Sequence, residues 1–223
     1  MITIRFVNIR AFVAFNPPVF CVKCTPITTI SHMKLCFATN NRHKLEEIQA
    51  LLGDQFELVT LSDIGCDTDI PEPFDTIAEN SRGKAHYVHE HFGIDCFADD
   101  TGLVVGALNG EPGVKSARYA GEQRDSNDNI DLLVKSLADK PDRSAHFLTV
   151  ITLSLDGEYY QFEGTVEGTI INEKRGSNGF GYDPVFVPKG HSRTFAEMTM
   201  QEKSDLSHRG RAFAKLVAFL RAH

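Results

Sequence analysis

Hydrophobic positions along this chain follow two rhythms. Short continuous or alternating runs predict strands, and longer stretches with apolar residues three to four apart predict helices. "MKLCFAT", Met33 to Thr39, reads as a buried strand of about six residues. "NNRHKLEEIQALLG" follows as a helix, with Leu45, Ile48 and Leu52 at helical spacing and Gly53 where a C-cap glycine belongs. "FELVTL" predicts a second strand, and a loop rich in Asp and Pro runs from Cys66 to Asp75. "TIAENSRGKAHYVHEHFG" predicts a long helix with Ile77, Ala85, Val88 and Phe92 on one face. "CFA" and "GLVVGAL" predict β segments on either side of the acidic pair Asp99-Asp100, and "NIDLLVKSLAD" predicts another helix. "AHFLTVITLSL" and "EYYQFEGTVEGTII" are long β runs joined by Asp156-Gly157, a good hairpin turn. The closing "SHRGRAFAKLVAFLRAH" carries a helical stripe of Phe213, Leu216, Val217 and Leu220. Alternation of helices and strands followed by a hairpin predicts a mixed α/β fold, with no internal repeat and no low-complexity stretch.

The first 32 residues break this pattern. They hold Arg5, Arg10 and Lys23 but no acid, and their best apolar run, Ala11 to Phe15, stops at Asn16-Pro17-Pro18. That run is too short for a transmembrane helix or a signal-peptide core. An organelle presequence is one reading. An extension upstream of a natural start at Met33 is the preferred one, because a clean strand begins there. Residues 1–32 are therefore expected to lie outside the fold, with 33–223 as the folded domain.

Composition narrows the function classes. A formal net charge of -7 and a pI near 5.7 argue against a protein that lives on the nucleic-acid backbone. A small anionic ligand stays open, since a few local cations and backbone N–H groups suffice for one. Five loosely spaced cysteines make a disulfide framework a poor expectation and point to a reducing compartment. The lone Cys21-x-x-Cys24 pair is a weak zinc signal.

Four segments carry candidate chemistry. "ATNNRHK", Ala38 to Lys44, joins the first strand to the first helix, where free N–H groups and the helix dipole favour an anion. Thr39 and Asn40 add hydrogen-bonding side chains, and Lys44 is within reach of a phosphate. The plainer reading is an N-cap with a solvated lysine. The acidic pair is expected at the C-terminal end of "CFA", with one carboxylate in a ligand cleft and the other bonded to structure. Buried carboxylates need a partner, and magnesium suits such a site. The second metal carboxylate is Glu72 or Glu79. Glu72 is preferred, because Thr76-x-x-Glu79 reads as a capping box. "GSNGFGYDPVF", Gly176 to Phe186, offers close backbone approach and an aromatic face for a base, or is a glycine-rich turn with core aromatics. In "EKSDLSHRGRA", Lys203, His208 and Arg209 crowd the start of the last helix, against its dipole, as an anionic ligand would require. Thr199-x-x-Glu202 is a further possible capping box there.

In this order the four segments resemble the inosine triphosphate pyrophosphatase family. Its pattern of T-x-N-x-x-K, D-D-[ST]-G-L, G-F-G-Y-D-P and S-H-R reads here as Thr39–Lys44, Asp99–Leu103, Gly179–Pro184 and Ser207–Arg209. "GEPGVKSARYAGE", Gly110 to Glu122, also resembles the family's stretch after the acidic pair. Asn41 and Thr101 are small departures, and residues before Met33 have no counterpart. The resemblance implies a mixed, elongated β-sheet flanked by helices, in two lobes with the active-site cleft between them. It implies Mg²⁺-dependent hydrolysis of ITP, dITP or XTP to the monophosphate and pyrophosphate by a cytoplasmic homodimer, with no nucleic-acid or membrane partner. Asp100 becomes general base, metal ligand or both, with Glu72 helping to hold the ion. Thr39, Asn40, Asn41, Arg42, His43, Lys44, Lys84, Thr101 and Lys203 fall to the substrate, chiefly its phosphates. Phe180, Gly181, Tyr182 and Asp183 fall to the base or sugar, with His208 and Arg209 near the base. Arg209 either reads the 6-oxo edge, the preferred role, or clamps a phosphate. A non-catalytic nucleotide-binding regulator and a Maf-like hydrolase are the competing classes; the first would not need Asp100, and "SHR" with "GFGYDP" argues against the second.

Overall fold

A computed structural model of the chain describes residues 33–52 and 56–223. The predicted extension, the Cys21/Cys24 pair and the Gly53 cap lie outside the described residues. β1 (Met33–Phe37), β2 (Phe56–Thr60), β3 (Cys96–Val105), β4 (Pro112–Gly113), β5 (Ser144–Leu155), β6 (Glu158–Ile170) and β7 (Phe186–Pro188) form one seven-stranded sheet of order β2-β1-β3-β5-β6-β7, with β4 on β3. β1 runs parallel to β2 and β3, and all other pairs are antiparallel. The mixed sheet is as expected. Its elongation comes from β3, β5 and β6, of 10, 12 and 13 residues. Asp156 and Gly157, both at positive φ (51° and 81°), close the β5–β6 hairpin as their sequence requires.

Among the described residues five α-helices complete the fold: α1 (Arg42–Leu52), α2 (Ile77–Phe92), α3 (Ser126–Ser136), α4 (Met200–Leu206) and α5 (His208–Ala222). Period-two alternation in β1 and β3 sorts their side chains between α2 and α5. Cys36, Ala38, Cys96 and Ala98 pack with Ala85 and Val88 of α2. Leu35, Phe37 and Phe97 pack with Ala212 of α5 and with Phe213, Leu216 and Leu220 of the predicted stripe, whose fourth member, Val217, is partly buried against the same cluster. Each fully buried leucine or phenylalanine among them stabilises the fold by about 1.5–3 kcal/mol. Gly164 of β6 lets the first turn of α5 sit close on the sheet, because a Cβ there would collide with the His208 carbonyl. A third cluster includes Leu103, Phe147, Tyr182 and Val185.

Two expectations change. "CFA" and "GLVVGAL" are not separate: β3 runs unbroken through Asp99 and Asp100, each paired with β5 at Ile151 and Val150. The carboxylates do not end the strand because cations from neighbouring helices compensate them. It is β1 that stops beside the pair, its last partner on β3 being Phe97. In the C-terminal segment, Lys203 belongs to the separate helix α4, capped by Thr199 and Glu202, and α5 starts anew with Ser207 as N-cap. Cys36, Cys66 and Cys96 are buried free thiols, and burial pushes Cys36 up to about 12.

Candidate active site

Asn41 caps α1. Its Oδ1 accepts from the N–H groups of His43 and Lys44 at 3.0 and 3.2 Å, and its own N–H donates to Thr39 Oγ1 at 3.2 Å. The plain N-cap is thus real, but the lysine is not solvated. Lys44 Nζ donates to Asp99 Oδ1 at 2.8 Å. Burial lowers the Lys44 pKa, and Asp99 restores it only in part with Lys84 and Arg209 close by.

Asp99 and Asp100 point to opposite sides of β3. Asp99 is 1% exposed and meets Arg209 of α5 and Lys44 of α1. Burial alone would raise its pKa; the cations outweigh this and hold it well below the usual carboxylate range. Thr101 ties in by accepting from Arg209 Nη2 at 3.2 Å and sharing a 2.7 Å hydroxyl bond with Thr149. Asp100 is 8% exposed, and its nearest cation, Lys84 of α2, stands 3.3 Å away. Burial pushes the Asp100 carboxyl up, and Lys84 and Lys44 pull it back only in part. Lys84 Nζ also donates to Glu72 Oε1 at 2.6 Å, so one ammonium bridges the two carboxylates expected to hold a metal. Burial opposes ionisation of Glu72, but Lys84 outweighs it and keeps its pKa low. Glu79 is used at the start of α2, where Thr76 Oγ1 donates to its carboxylate at 2.7 Å and accepts from its N–H at 3.1 Å.

Around Phe180, the Asp183 carboxylate accepts from the Phe180 N–H at 2.8 Å and from Lys203 Nζ at 2.7 Å. Tyr182 is buried and donates to the Ser116 carbonyl at 2.9 Å. The half-buried Phe180 ring meets Lys203 Nζ at 4.9 Å and Arg209 Cζ at 5.7 Å from its centroid. Glu47 is one residue that sequence reasoning missed. It takes Lys203 Nζ at 2.6 Å and Arg209 Nη1, which completes a buried network. Its only signal is position: three residues after Lys44 and next to Ile48, at the edge of the buried stripe of α1. The cations near α5 therefore face the chain's own carboxylates, which answers the dipole argument without a ligand. Arg209 in particular spends its guanidinium on Glu47, Asp99 and Thr101. His208 is buried and stacked on Phe147 at 4.6 Å, and its Nδ1 has no hydrogen-bond partner. Burial, then Arg209 and Lys203, push its pKa well below the ordinary histidine value.

These residues line one cavity of 670 Å³, a size suited to a small ligand. It takes in Thr39, Asn40, Asn41, His43, Lys44, Glu72, Lys84, Asp100, Thr101, Phe180, Gly181, Tyr182, Asp183, Lys203, His208 and Arg209. Arg42, exposed at the first position of α1, is not part of the lining. Arg118, unanticipated, is: its Nη1 stands 3.9 Å from Glu72. Leu103, Phe147 and Tyr182 of one core cluster and Ala38, Leu61 and Ile70 of another share the walls, so the cavity lies where two core clusters meet.

Fold and cavity define a mixed α/β protein with a pocket lined by paired carboxylates and lysines. The chain belongs to the Ham1 family, whose model matches residues 35–219. It is 51% identical over 189 residues to a dITP/XTP pyrophosphatase of Flavobacterium psychrophilum, covering 85% of this chain and 100% of that one. It is 53% identical over 188 residues to a dITP/XTP pyrophosphatase of Porphyromonas gingivalis, covering 84% and 97%. Among solved structures it is similar to a HAM1 protein from Coxiella burnetii, with a TM-score of 0.80, 38% identity and 86% and 100% coverage. The Ham1 protein of Staphylococcus aureus gives a TM-score of 0.78, 38% identity and 85% and 98% coverage.

Proposed function

We propose that this chain is a Mg²⁺-dependent nucleoside-triphosphate pyrophosphatase that hydrolyses deaminated purine triphosphates (ITP, dITP, XTP) to the monophosphate and pyrophosphate. The observation that carries the reading is the shared cavity of Asp100, Lys84, Lys44 and the Phe180 face. The phosphates lie against Lys44 and Lys84. Asp100 takes the proton of a water that attacks the α,β-anhydride, and pyrophosphate leaves. The base lies on Phe180, and His208 Nδ1, buried and unpartnered, is the group left free to donate to a 6-oxo edge.

The donor set fits a magnesium ion. Asp100 and Glu72 supply the one or two carboxylates that such an ion takes alongside phosphate oxygens and water. Charge supports the same need. Lys44, Lys84, Lys203 and Arg209 are already matched by Glu47, Glu72, Asp99, Asp100 and Asp183, so a polyanionic substrate calls for added positive charge. When bound, the ion neutralises phosphate charge and lowers the pKa of a coordinated water. Among the described residues no helix is long and apolar enough to cross a membrane. A cytoplasmic homodimer, implied by the family resemblance, is part of the proposal, and light scattering tests the dimer. The activity is tested by incubation with a panel of NTPs and Mg²⁺, assaying pyrophosphate against orthophosphate. Pyrophosphate from ITP is expected; orthophosphate, or no turnover of any NTP, overturns the reading.

A further inference from the structure

His43 sits on the first turn of α1, and its side chain is mostly exposed. Its imidazole nevertheless lies nearly parallel to the Phe180 ring, with 5.2 Å between centroids and 13° between planes. Both rings line the same cavity. Phe180 thus has an exposed imidazole stacked on it and the buried cations of Lys203 and Arg209 close to its π system. A purine inserted between two rings would need them roughly 7 Å apart or more, twice the ordinary carbon–carbon contact. At 5.2 Å there is no such room. The imidazole, itself a flat nitrogen heterocycle, covers surface of the ring on which a base would stack.

We infer that His43 is a placeholder on Phe180, a side chain that the substrate's base must displace before it can stack. This rests on the reading that the base lies on Phe180. Its physical content is a competition between two stacks on one ring, and an aromatic pair is a modest interaction that a larger heterocycle can outcompete. His43 makes no hydrogen bond through its ring to the buried network, so its removal leaves the Asp99, Glu47 and Asp183 pairs in place.

Steady-state kinetics with ITP and Mg²⁺ on the full chain test it. His43→Ala should lower KM by about two- to tenfold, the size of one aromatic pair, and His43→Phe should raise it. Phe180→Ala should raise KM, and in that background His43→Ala should have no further effect. Phe180→Leu serves if the alanine variant does not fold. A KM that rises in His43→Ala while Phe180→Ala also raises it would make His43 a supporting wall and overturn the inference, as would an unchanged KM in His43→Ala. An unchanged KM in Phe180→Ala would instead remove the base from Phe180 and with it the reading on which the placeholder depends.

Discussion

Asp99 and Asp100 are the same residue type, adjacent in one strand, and the fold uses them in opposite ways. Asp99 faces α5 and is clamped by Lys44 and Arg209, which hold its pKa down. Asp100 faces α2, borders the cavity and has a looser hold on Lys84, at 3.3 Å, and burial leaves its pKa raised. One carboxylate is a buried anion that keeps two cations in place. The other is left under-compensated where a ligand can reach it. A raised carboxyl pKa makes a stronger base, and that strength is available only where the partners are incomplete.

The comparison breaks most visibly at Asp99. Asp99→Ala strands Lys44 and Arg209 in the interior, so stability should fall by about 3–5 kcal/mol in urea unfolding; a variant as stable as the parent would refute the clamp. The same clamp has an acid signature. Asp99 and Glu47 are depressed in the folded state, so the unfolded chain binds more protons in acid. Stability should be full above about pH 4.5 and fall as pH drops through the unfolded carboxylate values toward the folded ones. Asp100→Asn should do the reverse of Asp99→Ala. Turnover should fall at least about a hundredfold, while the melting temperature without divalent metal stays level or rises, because a strained carboxylate is gone. Near-parental turnover with Mg²⁺ would end the base role. A smaller effect concerns base choice. His208→Leu should shrink the ITP/ATP ratio of kcat/KM about two- to tenfold, the value of one neutral hydrogen bond. Arg209→Lys should lower stability with that ratio unchanged, since its guanidinium is engaged with Glu47 and Asp99. A ratio that collapses in Arg209→Lys would return base reading to Arg209. The smallest expected effect is none: a chain starting at Met33 should match the full chain in melting temperature and kcat/KM, and a large drop in either would show that residues 1–32 contribute to the folded protein.

Local chemistry was legible in the chain itself. Periodicity marked α2 and α5, Asp156-Gly157 marked the hairpin, and Thr76 and Thr199 marked helix starts, because each depends on residues only a few positions apart. The acidic pair, the Ala38–Lys44 loop, the Phe180 turn and the Ser207–Arg209 segment stood out in the sequence, and all four reach one cavity. What the chain could not reveal alone were the partnerships. Continuity of β3 through two carboxylates depends on Lys44, Lys84 and Arg209, which lie 55, 16 and 110 positions from the aspartates they bond. Glu47 looks like any helix-flank glutamate until Lys203 and Arg209, 156 and 162 positions away, converge on it. Which aspartate is clamped and which is left for chemistry follows from strand alternation plus the faces that α2 and α5 cover. Alternation is written in the sequence. The covering of each face by a particular helix is decided by packing, because a charge's behaviour depends on what surrounds it in space and not on its neighbours along the chain.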